Sequence, residues 1–239
     1  MTMVVMTTMP IGAAIAWLAE RDPHRPAITD PTGTVTRLEL DRRTSRLARA
    51  YAELGVGQDS LVTIGLPNGI EFYEAAIAVW KLGATPQPVS SKLPARERAA
   101  IIELADPPLV VGVAEDIPGR HRVAAGFQPD PSLSDEPLPP AVASSWKAPT
   151  SGGSTGRPKI ILAGEPGTAD PERATSAGFG MEPNGVQLVP GPLYHNAPFA
   201  FSTRGLLSGA HLIVMSRFDA SEALALIERH RVDWVLMVP

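Results

Sequence analysis

Residues 61–83 read LVTIGLPNGIEFYEAAIAVWKLG, and this stretch combines the two hydrophobic periods that decide the fold class. Residues 61–66 form a short, nearly continuous apolar run, which is typical of a strand buried inside a parallel sheet. Four apolar residues then recur at helical spacing: Phe72, Ala76, Val79 and Leu82. Gly83 predicts the end of this helix. A buried strand followed directly by a helix predicts the first half of a β-α-β unit.

The same alternation continues on both sides of this stretch. Apolar runs predict further strands at 26–29, 109–113, 159–162, 186–189, 211–215 and 233–239, with an edge strand at 122–124. Helical spacing predicts helices at 11–18, 36–54, 94–105, 199–207 and 219–231, and a short one at 171–177. Thr36 and Asp219 are the predicted N-caps of two of these helices. Alternating strands and helices predict an α/β fold of mostly parallel sheets flanked by helices.

A proline-rich segment divides the chain. Seven prolines fall within residues 118–149, which predicts an irregular connection between two sheet-building halves. We therefore predict a first α/β subdomain at 1–117, a connection at 118–149 and a second α/β subdomain at 150–239. The second subdomain is expected to be incomplete, because its last apolar strand is followed by no helix or polar tail. The chain is thus expected to be the N-terminal lobe of a longer protein.

The composition narrows the functional class. The chain has 239 residues, of which 44% are hydrophobic, and this permits a large buried core. The net charge of −4 without a basic stripe argues against a nucleic-acid partner. The chain contains no cysteine, which excludes disulfides and thiolate metal sites. No apolar run approaches the ~20 residues of a transmembrane helix. The first residues also lack the cationic flank of a signal peptide, so we predict a cytoplasmic protein.

Residues 150–159 read TSGGSTGRPK and have the composition of a phosphate-binding loop. Three glycines allow backbone N–H groups to approach a ligand: Gly152, Gly153 and Gly156. Three hydroxyl groups add donors: Ser151, Ser154 and Thr155. Lys159 adds a mobile cation that can follow a phosphate charge. This combination predicts a polyphosphate site, and a flexible Gly/Ser linker is the alternative. The Walker loop is a poorer match, because its Gly-Lys-Ser/Thr ending is absent.

The same loop resembles the phosphate-binding signature of the adenylate-forming enzymes, the acyl-CoA synthetase and luciferase superfamily. That signature reads Ser/Thr-Ser/Gly-Gly-Ser/Thr-Thr-Gly-x-Pro-Lys and aligns with residues 151–159, with Gly152 where serine is commoner. The resemblance extends to segments at 40–48, 62–89, 191–199 and 232–239. It therefore covers nearly the whole chain.

This resemblance implies a two-step ligation that uses ATP, Mg²⁺ and coenzyme A. A small carboxylic acid attacks the α-phosphorus of ATP, which gives an acyl-adenylate and pyrophosphate, and a thiol then takes the acyl group. The loop would hold the departing pyrophosphate, with Lys159 as a catalytic residue. The family's ligands for Mg²⁺ and ribose belong to later motifs, so no metal ligand is assigned here. Residues 1–239 alone are expected to lack turnover.

His195 is the second catalytic candidate. It lies between a predicted strand and a predicted helix, where parallel sheets bind ligands, and the matching histidine of the family lies beside the adenylate. Phe199 and Trp234 are the candidates for the wall of an acyl pocket, although bulky aromatic residues are also typical of cores. The forms of the phosphate loop and of residues 191–199 are similar to ligases of bulky acids, including bile-acid and steroid types.

Two other functions stay open. A truncated paralogue of the same fold would bind a nucleotide or an acyl chain without catalysis. A doubly wound phosphotransferase would share the alternation of strands and helices, but the absent Lys-Ser/Thr pair and the Pro-Leu-Tyr-His sequence at 192–195 argue against it. An apolar strand at the end of the chain would also favour self-association, in the simplest case as a homodimer.

Overall fold

The computed structural model describes residues 8–113, 115–152, 158–172 and 179–237. The helices in these ranges are α1 (Ile11–Arg21), α2 (Arg37–Glu53), α3 (Ile70–Lys81), α4 (Ala95–Ala105), α5 (Asn196–Leu207) and α6 (Ala220–His230). The strands are β1 (Met9–Pro10), β2 (Pro26–Asp30), β3 (Gly33–Thr36), β4 (Leu61–Ile64), β5 (Thr85–Pro88), β6 (Leu109–Val111), β7 (His121–Val123), β8 (Thr150–Gly152), β9 (Pro158–Ile160), β10 (Thr168–Ala169), β11 (Val186–Val189), β12 (His211–Val214) and β13 (Trp234–Val235). Within the described ranges, no helix has the length and apolar character that a bilayer span requires.

Two sheets of four and five strands organise the described part of the chain. The larger sheet has the order β13-β11-β12-β2-β3, and the smaller has the order β5-β4-β6-β7. Every pairing in the smaller sheet is parallel, and in the larger sheet only β2 and β3 run antiparallel. The pairs β1–β10 and β8–β9 are separate antiparallel ribbons. The predicted α/β fold with mostly parallel sheets flanked by helices is confirmed.

The stretch at 61–83 forms the predicted strand and helix. The apolar run becomes β4, and α3 ends just before Gly83, whose φ of 66° lies in the left-handed region that favours glycine. β5 follows and pairs parallel with β4, which completes the β-α-β unit. The residue pattern alone does not indicate β5, because two of its four residues are prolines. Proline is tolerated there because β5 is an edge strand.

Several other boundaries differ from the prediction. The pattern misses β3, because its four residues of mixed polarity precede the helix directly. The pattern also misses the two-residue strands β1 and β10. In the described part of the chain, the last predicted strand shortens to β13. The short helix predicted at 171–177 falls mostly on residues 173–178, which lie outside the described residues.

Thr36 begins α2 as predicted, through a reciprocal capping box. The Thr36 hydroxyl accepts a hydrogen bond from the backbone N–H of Glu39 at 3.3 Å, and the Glu39 carboxylate accepts one from the N–H of Thr36 at 2.8 Å. Asp219 likewise accepts a hydrogen bond from the N–H of Glu222 at 2.9 Å and begins α6. Both predicted N-caps are confirmed.

Replacing Thr36 by alanine should destabilise the protein by about 1 kcal/mol. The backbone N–H of Glu39 has no partner within the helix, and this replacement removes its acceptor. Urea unfolding of the variant measures this change. Thr36→Ser keeps the hydroxyl and should stay within about 0.5 kcal/mol of the wild type. Equal losses for both variants would show that the methyl group, not the cap, is what matters.

The main hydrophobic core contains residues from both predicted halves. Leu40, Phe72 and Ile64 pack in the same cluster as Phe199 and Leu212. The larger sheet also joins β2 and β3 to strands from the second half. Within the proline-rich segment, β7 forms the predicted edge strand of the smaller sheet. The division at residues 117 and 150 itself stays a prediction.

Candidate functional site

A β-hairpin carries the predicted phosphate loop. β8 and β9 pair antiparallel, with Ser151 opposite Lys159 and Gly152 opposite Pro158. Residues opposite each other in such a pair project from the same face, so Ser151 and Lys159 share one face at the base of the loop. Residues 153–157 lie outside the described residues, and four of them keep their binding roles as predictions: Gly153, Ser154, Thr155 and Gly156.

Lys159 presents its charge to solvent. Its side chain is exposed, and its ammonium group makes no ion pair or hydrogen bond with another described residue. The hydroxyl of Ser151, across the hairpin, is half-buried. An exposed ammonium group on the same face of the hairpin as a hydroxyl donor suits an anionic ligand. Within the described ranges, no group of three or more His, Asp or Glu side chains is placed to hold a metal ion.

Gln87 of β5 fixes the base of the hairpin to the smaller sheet. Its side chain is fully buried, donates a hydrogen bond to the hydroxyl of Thr150 at 2.8 Å, and accepts one from the hydroxyl of Thr63 at 2.5 Å. The backbone N–H of Ala148 also donates to the carbonyl of Pro86 at 3.0 Å. The sequence pattern gives no indication of Gln87, because one polar residue between two prolines has no periodic signal.

His195 lies between a strand and a helix, as predicted. It follows β11 by six residues and is the N-cap residue of α5, with extended backbone angles of −89° and 145°. Its side chain is exposed, and its ring centroid lies 4.4 Å from that of Tyr194. The ligand-binding edge of a parallel sheet is the one at the carboxyl ends of its strands, and His195 occupies a loop on that edge.

One open cleft brings the hairpin and the His195 loop together. Its volume is about 780 Å³, which is the size of a small-molecule site. The residues that line it include Val89, Ile101, Thr150, Ser151, Tyr194 and His195. Two segments that are more than 40 residues apart in the sequence therefore contribute residues to the wall of the same cleft. The catalytic and binding roles of these residues stay predictions.

Lys147 lies in the segment that precedes the hairpin, and its side chain contacts the start of α5. Its ammonium group donates a hydrogen bond to the side-chain oxygen of Asn196 and lies 4.3 Å from the ring centre of Trp146. Partial burial lowers the pKa of Lys147, and the nearby positive charge of Arg204 lowers it further. A lone lysine in a loop gave no signal in the sequence.

Phe199 lies in the hydrophobic core. It is fully buried, and its ring packs against Trp80 at 5.8 Å, Trp146 at 6.0 Å and Phe72 at 5.7 Å between centroids. It does not occur among the described residues that line the His195 cleft. The packing favours the core interpretation, and a role in an acyl pocket stays a prediction.

Trp234 belongs to a different aromatic cluster. Its indole N–H donates to the backbone carbonyl of Phe179 at 2.9 Å, and its ring stacks on Phe201 at 5.7 Å. Phe179 packs edge-on against Phe201 at 4.9 Å. Trp234 is also not among the described residues of the His195 cleft, so the structure does not bring it together with His195.

Comparison with known proteins gives consistent matches along the chain. A family described as AMP-binding enzyme matches residues 15–239. Pyochelin synthase PchD of Pseudomonas aeruginosa is 29% identical over 255 residues, which cover 95% of this chain and 46% of the relative. 4-Coumarate–CoA ligase 5 of Oryza sativa subsp. japonica is 27% identical over 249 residues, covering 93% of this chain and 46% of the ligase.

A solved structure gives the same match in three dimensions. O-succinylbenzoate coenzyme A synthetase (MenE) of Bacillus subtilis, in complex with AMP, superposes with a TM-score of 0.77 at 20% identity. The superposition covers 96% of this chain and 61% of that chain, and at this identity it shows the fold. The chain spans about half the length of the curated relatives it matches.

Proposed function

Since the chain belongs to the AMP-binding enzyme family, we propose that the complete protein is an ATP-dependent ligase that activates a carboxylic acid as an acyl-adenylate. The observation that carries this proposal is the shared cleft of Ser151 and His195. A ligation of this kind needs a polyphosphate site and an acyl site that open into one space, because the carboxylate must reach the α-phosphorus.

The hairpin would bind the departing phosphates. Ser151 donates from its hydroxyl group, and Lys159 neutralises charge that develops on the phosphate oxygens as the pyrophosphate leaves. Bound ATP supplies the activated phosphoanhydride, and Mg²⁺ would share the charge neutralisation. We assign no Mg²⁺ ligand to the described residues. Catalysis by this chain therefore consists of positioning and electrostatic stabilisation.

His195 would orient the carboxylate at the mouth of the cleft. Its side chain is exposed, and its ring makes no hydrogen bond with another described residue. A hydrogen bond from the imidazole to one carboxylate oxygen would leave the other free to attack. This role concerns orientation, and it does not require transfer of a proton by His195.

The substrate class we propose is a carboxylic acid that contains an aromatic ring. Two of the similar proteins bear the names of coenzyme A ligases for coumarate and o-succinylbenzoate, which are both aromatic acids. These names also favour coenzyme A as the thiol acceptor of the second step. The bile-acid or steroid substrate suggested by the sequence takes no support from them.

Carboxylate-dependent ATP–pyrophosphate exchange by the complete protein tests the proposal. We expect exchange with one or more acids of a panel that contains benzoates, cinnamates, fatty acids and bile acids, and none when the acid is omitted. Mass spectrometry after addition of coenzyme A should then detect the acyl thioester. Nucleotide binding without exchange for any acid would favour the non-catalytic binding module.

A further inference from the structure

The side chain of Asn68 joins two backbone segments next to the loop that carries His195. Its side-chain nitrogen donates hydrogen bonds to the carbonyls of Gly191 at 2.8 Å and Met215 at 3.2 Å. Its side-chain oxygen accepts one from the backbone N–H of Leu193 at 2.9 Å. Both donors of the amide are therefore used, and each bond reaches a residue more than 120 positions away in the sequence.

Asn68 is itself held in place by the start of α3. The carboxylate of Asp30, at the end of β2, accepts a hydrogen bond from the backbone N–H of Ile70 at 2.9 Å. This bond satisfies one of the orphan N–H groups of the first helical turn. Asp30 also approaches Gly69 so closely that a Cβ atom there would lie 2.8 Å from its carboxylate oxygen. The turn that presents Asn68 is thus fixed on its helical side.

The backbone segment that is bonded to Asn68 at Gly191 and Leu193 leads directly to His195. Leu193 is fully buried and lies two residues before His195, and the backbone N–H of His195 donates to the carbonyl of Pro192 at 3.0 Å. Only one residue, Tyr194, therefore lies between Leu193, whose backbone N–H bonds to Asn68, and His195. The Asn68 side chain therefore holds the backbone of this segment two residues before His195.

We propose that Asn68 is a positioning residue for His195, an inference that rests on the adenylation site proposed above. It touches no reacting atom and acts through the His195 loop. Loss of its side chain leaves two carbonyls and one N–H without their partner, so the loop relaxes and the imidazole moves within the cleft. Among the described residues, the side chain of Asn68 makes no hydrogen bond with the phosphate-binding hairpin, which should be unaffected.

A double-mutant cycle in the complete protein tests this role. Asn68→Ala should lower the kcat of carboxylate-dependent exchange by about 10- to 100-fold, with the KM for ATP changed by less than about twofold. In the His195→Ala background, the same replacement should lower exchange by less than about twofold, because the ring that it positions is gone. Equal losses in both backgrounds would mean that Asn68 acts only on stability, and the proposal would be wrong.

Two further variants keep the test decisive. Thr85→Val removes a buried hydrogen bond of 2.7 Å from Thr85 to the carbonyl of Ser145, far along the chain from the His195 loop, and should leave exchange within about twofold of wild type. Asn68→Asp keeps an acceptor for Leu193 but loses both donors, so it should behave as the alanine variant does. It replaces Asn68→Ala in the cycle if that variant does not fold.

An NMR readout separates this inference from the proposed function. In protein labelled at histidine, Asn68→Ala should shift the imidazole signal of His195, identified through His195→Gln. The signals of His24 and His121 should stay in place. This shift is expected even if the wild-type protein shows no exchange with any acid. In that case the adenylation proposal fails, and the positioning of His195 by Asn68 is still supported. An unmoved His195 signal would overturn the positioning role whatever the activity.

Discussion

Lys159→Ala should lower carboxylate-dependent ATP–pyrophosphate exchange by the complete protein about 100- to 1,000-fold. The ammonium group is exposed and makes no ion pair or hydrogen bond with another described residue, so its charge is free for a phosphate oxygen. The register of β8 and β9 places it opposite Ser151, which lines the cleft. Removing it leaves the charge of the departing pyrophosphate without one of its counter-ions. Initial exchange rates at saturating ATP measure the loss.

Stability provides the internal control for this prediction. An exposed side chain without described partners contributes little to folding, so the free energy of unfolding should change by less than about 0.5 kcal/mol. Arg42→Ala removes an exposed positive charge from α2 and should leave exchange unchanged. If Lys159→Ala exchanged pyrophosphate at the wild-type rate, the hairpin would have no part in the chemistry.

Asp41→Ala should destabilise the folded protein by about 3–5 kcal/mol. Asp41 and Lys81 are both 5% exposed and form an ion pair of 2.5 Å between α2 and α3. The ammonium group of Lys81 also donates to the backbone carbonyl of Asp41 at 2.8 Å and to the hydroxyl of Ser45 at 2.7 Å. Burial lowers the pKa of Lys81, and the charge of Asp41 opposes that change. Without Asp41, a buried ammonium group is left uncompensated.

Urea unfolding of two further variants separates the ion pair from general packing. Asp41→Leu combined with Lys81→Met replaces both charges by apolar groups and should recover much of the loss. Arg122→Ala breaks the surface pair with Asp116, which is 92% exposed, and should cost less than about 1 kcal/mol. A loss below about 1 kcal/mol for Asp41→Ala would show that water reaches Lys81.

The spacing of hydrophobic residues predicted the helices and strands that are buried on one face or on both faces. β4 and α3 follow from it, because loops rarely produce an unbroken apolar run or apolar residues at a spacing of three to four. The pattern gave no β5 and no β3, since prolines and short polar strands resemble loops. Pairing partners were also not predictable: β2 lies beside β12, although about 180 residues separate them. That choice depends on packing of the complete core.

The sequence offered site candidates where residue types are chemically specific, and their roles stay predictions. Glycines and hydroxyls near Lys159 indicated an anion, and the position of His195 after a strand indicated a ligand edge. Asn68 and Gln87 were missed, because an isolated amide side chain has many uses and its partners lie far away in the sequence. Phe199 shows the opposite limit: its aromatic character fitted both a core and a pocket, and only its packing against Trp80 and Trp146 favours the core.

We propose that a carboxylate oxygen attacks the α-phosphorus of ATP in the cleft between the hairpin and His195. The most direct test incubates the complete protein with ATP and an accepted acid labelled with ¹⁸O in both carboxylate oxygens, then determines the isotopic composition of the AMP released after thiol transfer. We expect one ¹⁸O atom in each AMP molecule, because the bridging oxygen of an acyl-adenylate stays with phosphorus when the carbonyl carbon is attacked. Unlabelled AMP, or ADP and phosphate as the products, would contradict the account.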